Sequence, residues 1–257
     1  MQTLKMSTYA ITGTSRGIGL ELVKQLIQLP RTQVSKIFAI TRGPSVELQK
    51  LIDASEERIV NIVIKDLTKE DSVQGGVTQI QKHTPSLDVL VNNAGQGSFT
   101  PDGVRSVKAA DLREILNTNL VSAQVVTAAF LPLLESGNEK KVINISSTLG
   151  SISYASRHAN TPSHAYKVTK AGMNMLTALY ALDHKEFTFL AVSPGWLRTD
   201  LGSQNADLPV EVGVSSLKDI ILKADRSQNG KFFNIHVPDW KKEGKGPEVY
   251  EGEEVPW

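Results

Sequence analysis

The sequence predicts an α/β protein: one doubly wound parallel sheet with helices on both faces. Three observations carry that expectation. Short apolar runs alternate with helical patterns from end to end, as parallel strands joined by right-handed crossovers do. The first strand runs into a glycine-rich loop and then a helix. The 257 residues, 40% hydrophobic and 21% charged, suffice for one sizeable core and argue against disorder. No internal repeat or linker divides the chain, so a single domain over residues 1–257 is expected.

Composition also excludes several function classes. The formal net charge is +1 and no basic block stands out, so no nucleic-acid partner is expected. There are no cysteines, which excludes disulfides, thiolate metal sites and cysteine nucleophiles. The five histidines lack metal-ligand spacing, so no metal is expected. Met1 to Ser7 contains no apolar signal-like run, and nowhere do 18 apolar residues follow one another. These features predict a cytoplasmic protein with no membrane contact.

Tyr9-Ala10-Ile11 reads as the first strand. Thr12-Gly13-Thr14-Ser15-Arg16-Gly17-Ile18-Gly19 follows, then a helical run from Leu20 to Leu29. Strand, glycine-rich loop and helix is the setting a phosphate-binding loop requires. Glycines let the chain turn tightly and approach a pyrophosphate, and the helix start offers free N–H groups and a positive dipole end. The second strand, Lys36 to Arg42, ends without the Asp or Glu that would hold a ribose 2′-hydroxyl. Thr41 and Arg42 stand there instead. A guanidinium can bind a 2′-phosphate bidentately, and Arg16 can approach it from the other side, so NADP(H) is the expected cofactor.

The third strand, Ile59 to Ile64, leads to Lys65-Asp66-Leu67, and residues 69–82 read as a helix. Leu87 to Val91 is a fourth strand running into Asn92-Asn93-Ala94-Gly95. Small residues there let the chain pass close to a ligand, and the asparagines can tie neighbouring strands together. A long helical pattern from Ala110 to Leu134 contains Asn117 and Asn119; an asparagine in an apolar helix is unfavourable unless its amide is bonded. The fifth strand, 141–145, delivers Ser146-Ser147 to the end of the sheet where ligands bind. The polar stretch 148–162 predicts a loop beside the site, and His158 and His164 flank the pocket as surface or substrate-contact residues.

A buried helix is expected over 163–183, with Val168, Ala171, Met175, Leu176 and Leu179 as its apolar residues. Tyr166 and Lys170 are four apart and so share a face. A phenol of pKa near 10 is a poor acid at neutral pH, and a nearby ammonium lowers that pKa toward the working range. A sixth strand, 187–192, precedes Ser193-Pro194-Gly195-Trp196-Leu197-Arg198-Thr199-Asp200. Residues 230–235 predict a last strand. Residues 237–249 read as a polar insertion ahead of the end of the chain.

The glycine spacing, Asn-Asn-Ala-Gly, Ser147, Tyr166-x-x-x-Lys170 and Pro194-Gly195, in that order, resemble the short-chain dehydrogenases/reductases. Within them the chain is most similar to the carbonyl-reductase and C-factor-like branch, with a tail like that of fungal members. The resemblance implies a Rossmann-type fold and an NADP(H)-dependent oxidoreductase reducing a ketone or aldehyde, or oxidising the alcohol. It implies catalytic roles for Asn119, Ser147, Tyr166 and Lys170, with Ser146 the runner-up to Ser147 and Asn117 a secondary contact. Asn119 would hold a relay water, and Lys170 would also bind the nicotinamide ribose. Cofactor contacts would come from Gly13, Ser15, Arg16, Gly17, Ile18 and Gly19, from Arg42, and from Asp66 and Leu67 around the adenine. Asn93, Ala94 and Gly95 would line the middle, and Pro194, Gly195, Leu197 and Thr199 the nicotinamide side. A homodimer or homotetramer is implied, though monomers occur in this branch. The alternatives are a non-catalytic dinucleotide-binding sensor or scaffold, and a redox-neutral cyclase or isomerase.

Overall fold

The computed structural model describes residues 6–240 and 249–257. Its strands are β1 (Ser7–Thr12), β2 (Val34–Thr41), β3 (Ile59–Val63), β4 (Val89–Asn92), β5 (Lys141–Ile145), β6 (Thr188–Ser193) and β7 (Lys231–Asn234). They form one sheet in the order β3-β2-β1-β4-β5-β6-β7, and every pairing is parallel. The chain winds outward from β1 to β3 and then restarts on the other side of β1 with β4. A crevice opens at that switch point, beyond the carboxyl ends of the strands.

The helices are α1 (Gly17–Ile27), α2 (Val46–Asp53), α3 (Glu70–Gln81), α4 (Ala109–Leu116), α5 (Ser122–Glu135), α6 (His164–Asp183) and α7 (Val210–Lys223). Two apolar cores result, one on each side of the sheet. Tyr9 and Ile11 belong to one, with Leu22 and Leu26 of α1, Leu48 of α2 and Leu217 of α7. Ala10 belongs to the other, with Val73 and Val77 of α3 and Val126 and Phe130 of α5. Alternate residues of β1 thus serve opposite cores, as the two-residue strand period requires. Burial on both faces is why the central strands read as continuous apolar runs.

The alternation of elements is as expected, but several bounds and faces differ. Helix α1 starts at Gly17, not Leu20, so two loop glycines lie in its first turn. Helices α2 and α7 had no separate expectation. The predicted helix 110–134 is three pieces end to end: α4, a π-turn over Asn117–Val121, and α5. By length and composition, 109–135 is apolar enough to cross a membrane. Here Val126, Phe130, Leu133 and Leu134 of that span pack on the sheet.

The largest correction concerns α6. Val168, Met175 and Leu179, expected inside, are at least half exposed. The buried side carries Ala165, Thr169, Lys170, Met173, Asn174, Thr177 and Ala181. A polar face can be buried there because each polar group finds a partner. Asn144 Nδ2 donates to Thr177 Oγ1 at 2.8 Å, Ser146 Oγ donates to Asn174 Oδ1 at 2.5 Å, and Asn119 Nδ2 donates to Thr169 Oγ1 at 3.1 Å. Of the proposed insertion 237–249, residues 241–248 lie outside the described residues. Residues 249–257 pack along β7, through bridges Phe233–Glu254 and His236–Glu251.

Candidate active site

A cleft of about 2640 Å³ opens at the switch point between β1 and β4. Every residue named above as a catalytic or cofactor contact lines it, except Gly19, Asn117 and Asn119. Gly13 holds φ +72° and Gly17 φ +57°, conformations that favour glycine. A Cβ on Gly13 would lie 2.9 Å from the Ala94 Cα, so the loop can approach the β4 end only without one. A Cβ on Gly19 would fall 2.4 Å from the Gly13 carbonyl oxygen; that glycine serves packing behind the loop. Arg16 precedes α1 and its side chain makes no capping bond, so the helix start opens on the cleft without a local side-chain cap. Such a cradle of glycine backbone and helix N-terminus suits a diphosphate.

The Asn-Asn-Ala-Gly segment is tied on both sides. Asn93 Nδ2 donates to the Thr12 carbonyl at 2.8 Å, and Thr12 Oγ1 accepts the N–H groups of Asn93 and Ala94, both at 3.0 Å. Asn92 Nδ2 donates to Thr127 Oγ1 and Asn144 Oδ1, each at 2.8 Å. Thr12 was not anticipated, because nothing in its local sequence marks a hydroxyl that caps a distant loop.

Ser147, Tyr166 and Lys170 all line the cleft. Ser146 is fully buried with its hydroxyl committed to Asn174, whereas Ser147 is half-buried and its Oγ accepts the Leu149 N–H at 3.2 Å. Geometry thus favours Ser147 over Ser146. The Lys170 Nζ sits 5.4 Å from the centre of the Tyr166 ring and donates to the Ile145 carbonyl at 2.6 Å. Burial alone pushes the Lys170 pKa down to about 8. The N–H of Tyr166 donates to Ser98 Oγ at 2.9 Å. Ser98 thereby caps the first turn of α6 from another segment and ties that turn to the 95–100 loop.

Asn119 lies in the π-turn and is fully buried. Its Oδ1 accepts the Gln96 N–H at 2.8 Å, while its Nδ2 donates to the Gln96 carbonyl at 2.9 Å and to Thr169. The side chain is engaged in holding the β4 loop to α6 and does not face the cleft. Asn117 is exposed.

Arg42 is exposed on the cleft just beyond β2. Arg16 does not point at it alone: its guanidinium pairs with Asp200 at 2.9 Å, both side chains being 74% exposed. A pair that open contributes little, so a stronger anion can displace it. The Asp66 carboxylate accepts from Thr68 N and Oγ1 at 2.9 and 2.6 Å, and the Thr68 hydroxyl bond, first, holds its pKa below the usual value. Leu197 buries its side chain in the core, and Thr199 Oγ1 accepts the Gly202 N–H at 3.1 Å. His158 is buried in the cleft wall, not on the surface; burial, then Lys167 and Arg157, pushes its pKa down to about 4. His164 does not line the cleft.

This combination of parallel sheet, glycine cradle and Ser-Tyr-Lys wall defines a class of dinucleotide-binding oxidoreductases. The sequence profile of the short chain dehydrogenases matches residues 7–208, and the chain belongs to that family. It is 34% identical over 207 residues, 76% of each chain, to the short-chain dehydrogenase/reductase atnB of Arthrinium sp.. Among solved structures it is similar to the carbonyl reductase Sniffer of D. melanogaster, at 30% identity and TM-score 0.83, covering 98% of this chain and all of that one. It is also similar to the NADPH-bound carbonyl reductase from chicken fatty liver, at 26% identity and TM-score 0.81, over 92% and 100% of the two chains. The expected kinship with carbonyl reductases and fungal relatives is borne out.

Proposed function

We propose that the protein reduces a ketone or aldehyde to an alcohol with NADPH, or runs the reverse reaction with NADP. One observation carries this reading: Ser147, Tyr166 and the buried Lys170 line one cleft with a close-packed glycine loop at a helix start. The loop 13–19 would hold the diphosphate, Asp66 and Leu67 the adenine, and the 194–199 backbone the nicotinamide side. A nicotinamide dinucleotide, when bound, supplies or accepts the hydride. Ser147 Oγ–H donates to the substrate carbonyl oxygen. Tyr166 O–H delivers a proton to the same oxygen as charge develops on it, and the Lys170 ammonium makes the phenol a stronger acid. Asn119 acts here as a positioning residue. The deciding experiment is a panel of carbonyl compounds with NADPH oxidation followed by absorbance. Tight NADPH binding without turnover of any compound would favour the scaffold alternative.

The preference for NADPH rests on charge. No carboxylate ends β2, Arg42 is exposed on the cleft, and the weak Arg16–Asp200 pair can yield to a phosphate. One charge-assisted contact to a 2′-phosphate contributes roughly 1.5–3 kcal/mol, which implies at least about tenfold preference for NADPH. Arg42→Asp is expected to shift that preference toward NADH with little change in the chemical step. Titration of both cofactors into wild type and variant checks it; equal wild-type affinities, unmoved by the substitution, would count against this assignment.

The expected homodimer or homotetramer finds support on α6. Val168, Met175, Leu179 and Leu182 are 51%, 62%, 50% and 62% exposed, at spacings that place them on one helix face. Tyr180, on the same helix, is turned away from them and stacked on Phe189 at 5.1 Å. Light scattering at micromolar concentration is expected to give a multiple of 28.0 kDa. A monomer mass would refute the assembly.

A further inference from the structure

Residues 249–257 lie beyond the span matched by the family profile, yet they hold the 194–208 loop of the cleft on one side and the stretch that follows Ser147 on the other. Tyr250 is 2% exposed. Its hydroxyl accepts the Trp196 N–H at 3.1 Å and donates to Asp207 Oδ2 at 2.9 Å. Trp196 and Asp207 stand at the two ends of the loop over the cleft. That loop closes on itself through Leu208 N–H to the Trp196 carbonyl, at 3.1 Å, and Arg198 N–H to the Leu208 carbonyl, at 2.9 Å. The Tyr250 ring packs on Gly195, where a Cβ would lie 3.0 Å from it, and edge-on against Trp240 at 4.6 Å.

The same segment also grips the stretch that follows Ser147. Ser151 Oγ donates to the Pro256 carbonyl oxygen at 2.5 Å, and Ser153 N–H and Oγ–H donate to the Trp257 main-chain oxygen at 3.1 and 2.8 Å. These serines belong to the stretch that follows Ser147. Between the two grips, the segment is anchored to the sheet: Gly252 N–H donates to the Ile235 carbonyl at 3.1 Å and Val255 N–H to the Phe232 carbonyl at 2.7 Å. Trp257 stacks on Phe232 at 5.6 Å.

We infer that residues 249–257 are a brace that sets the spacing of the two cleft walls, with Tyr250 as the positioning residue that keeps the neck of the 194–208 loop closed. This rests on reading the cleft as the cofactor and substrate site. The brace acts on binding, because Tyr250 grips the loop from behind and does not reach the reacting atoms. Phenylalanine at 250 keeps the ring on Gly195 and Trp240 and removes only the hydroxyl bridge.

The test is Tyr250→Phe, read in two independent ways. In the first, the Kd for NADPH and the KM for a reducible carbonyl rise by about tenfold, the size expected for one hydrogen bond to a charged group, while kcat stays within about threefold. In the second, trypsin cleavage after the exposed Arg198 accelerates severalfold in the absence of any ligand, with other sites unchanged. Unchanged constants and unchanged cleavage in a folded variant would overturn the brace. A wild type that binds no NADPH would sink the functional reading instead, and the cleavage measurement would still decide the brace. If Tyr250→Phe does not fold, Asp207→Ala removes the acceptor alone and should shift both readouts in the same direction by no more than that. Where both fold, the double variant should be no worse than Tyr250→Phe alone, and additive losses would refute a shared bridge.

Discussion

Tyr166→Phe is expected to lower turnover by about two orders of magnitude or more while the variant still folds and still binds NADPH. The ring is retained, so its packing in the first turns of α6 survives, and the capping bond from its own N–H to Ser98 is a main-chain interaction that the substitution does not touch. What disappears is the transferable proton beside Lys170, whose Nζ lies 5.4 Å from the ring centre. Steady-state kinetics with a reducible carbonyl, together with NADPH titration, separate the two effects. Near-normal turnover in a folded variant would remove Tyr166 from the proposed chemistry. Loss of NADPH affinity in parallel with turnover would mean that the hydroxyl mainly binds cofactor.

The second large effect is expected at Lys170. Its ammonium is buried at 4% exposure and meets one fixed protein acceptor, the Ile145 carbonyl. Desolvation favours the neutral amine and brings its pKa to about 8 from an ordinary 10.5. Lys170 therefore carries its charge below about pH 8 and loses it above, so wild-type carbonyl reduction should decline as pH rises through that value. Lys170→Met removes the charge at every pH. Turnover near neutrality is expected to fall about a hundredfold. In the alcohol-oxidising direction, the ascending limb of the pH profile should move up toward an unassisted phenol, near pH 10. Stability carries a matching sign. Between about pH 8 and 10.5 the unfolded lysine holds a proton that the folded one has lost, so wild-type stability rises with pH in that window. Subtracting the melting curves of Lys170→Met isolates this slope, since other groups titrate alike in both proteins. An unchanged oxidation profile would show that the ammonium does not govern the tyrosine, and no difference in slope would show that burial does not depress the lysine.

What could be read in the sequence was whatever depends on short stretches of chain. Parallel strands buried on both faces leave continuous apolar runs, and the strand–loop–helix start shows as glycines between two periodic patterns. Tyr166 and Lys170 share a helix face because they are four residues apart. The same locality limits the method. Hydrophobicity alone put the apolar residues of α6 inside, whereas the structure buries Thr169, Lys170, Asn174 and Thr177. Burial of that polar face is made possible by partners on β5, the π-turn and the loop after β5, which no pattern within α6 can reveal.

The remaining decisions follow the same rule. The choice between Ser146 and Ser147 turned on Asn174, which engages one hydroxyl and not the other. Asn119 was picked out as a buried asparagine, but only the fold showed its amide holding Gln96 and Thr169 rather than facing the cleft. Arg16 was read as a phosphate ligand, and the folded loop also offers it Asp200. Tyr250 carried no signal at all, since its hydroxyl matters only where the end of the chain meets both Trp196 and Asp207. Legible from the chain alone were the parallel sheet, the glycine-rich loop that opens α1 and the shared face of Tyr166 and Lys170, because each rests on the geometry of a few consecutive residues. The tertiary structure alone decided which polar groups are already engaged and which still face the cleft, because a hydrogen bond is settled by where its partner arrives, and these partners come from distant parts of the chain.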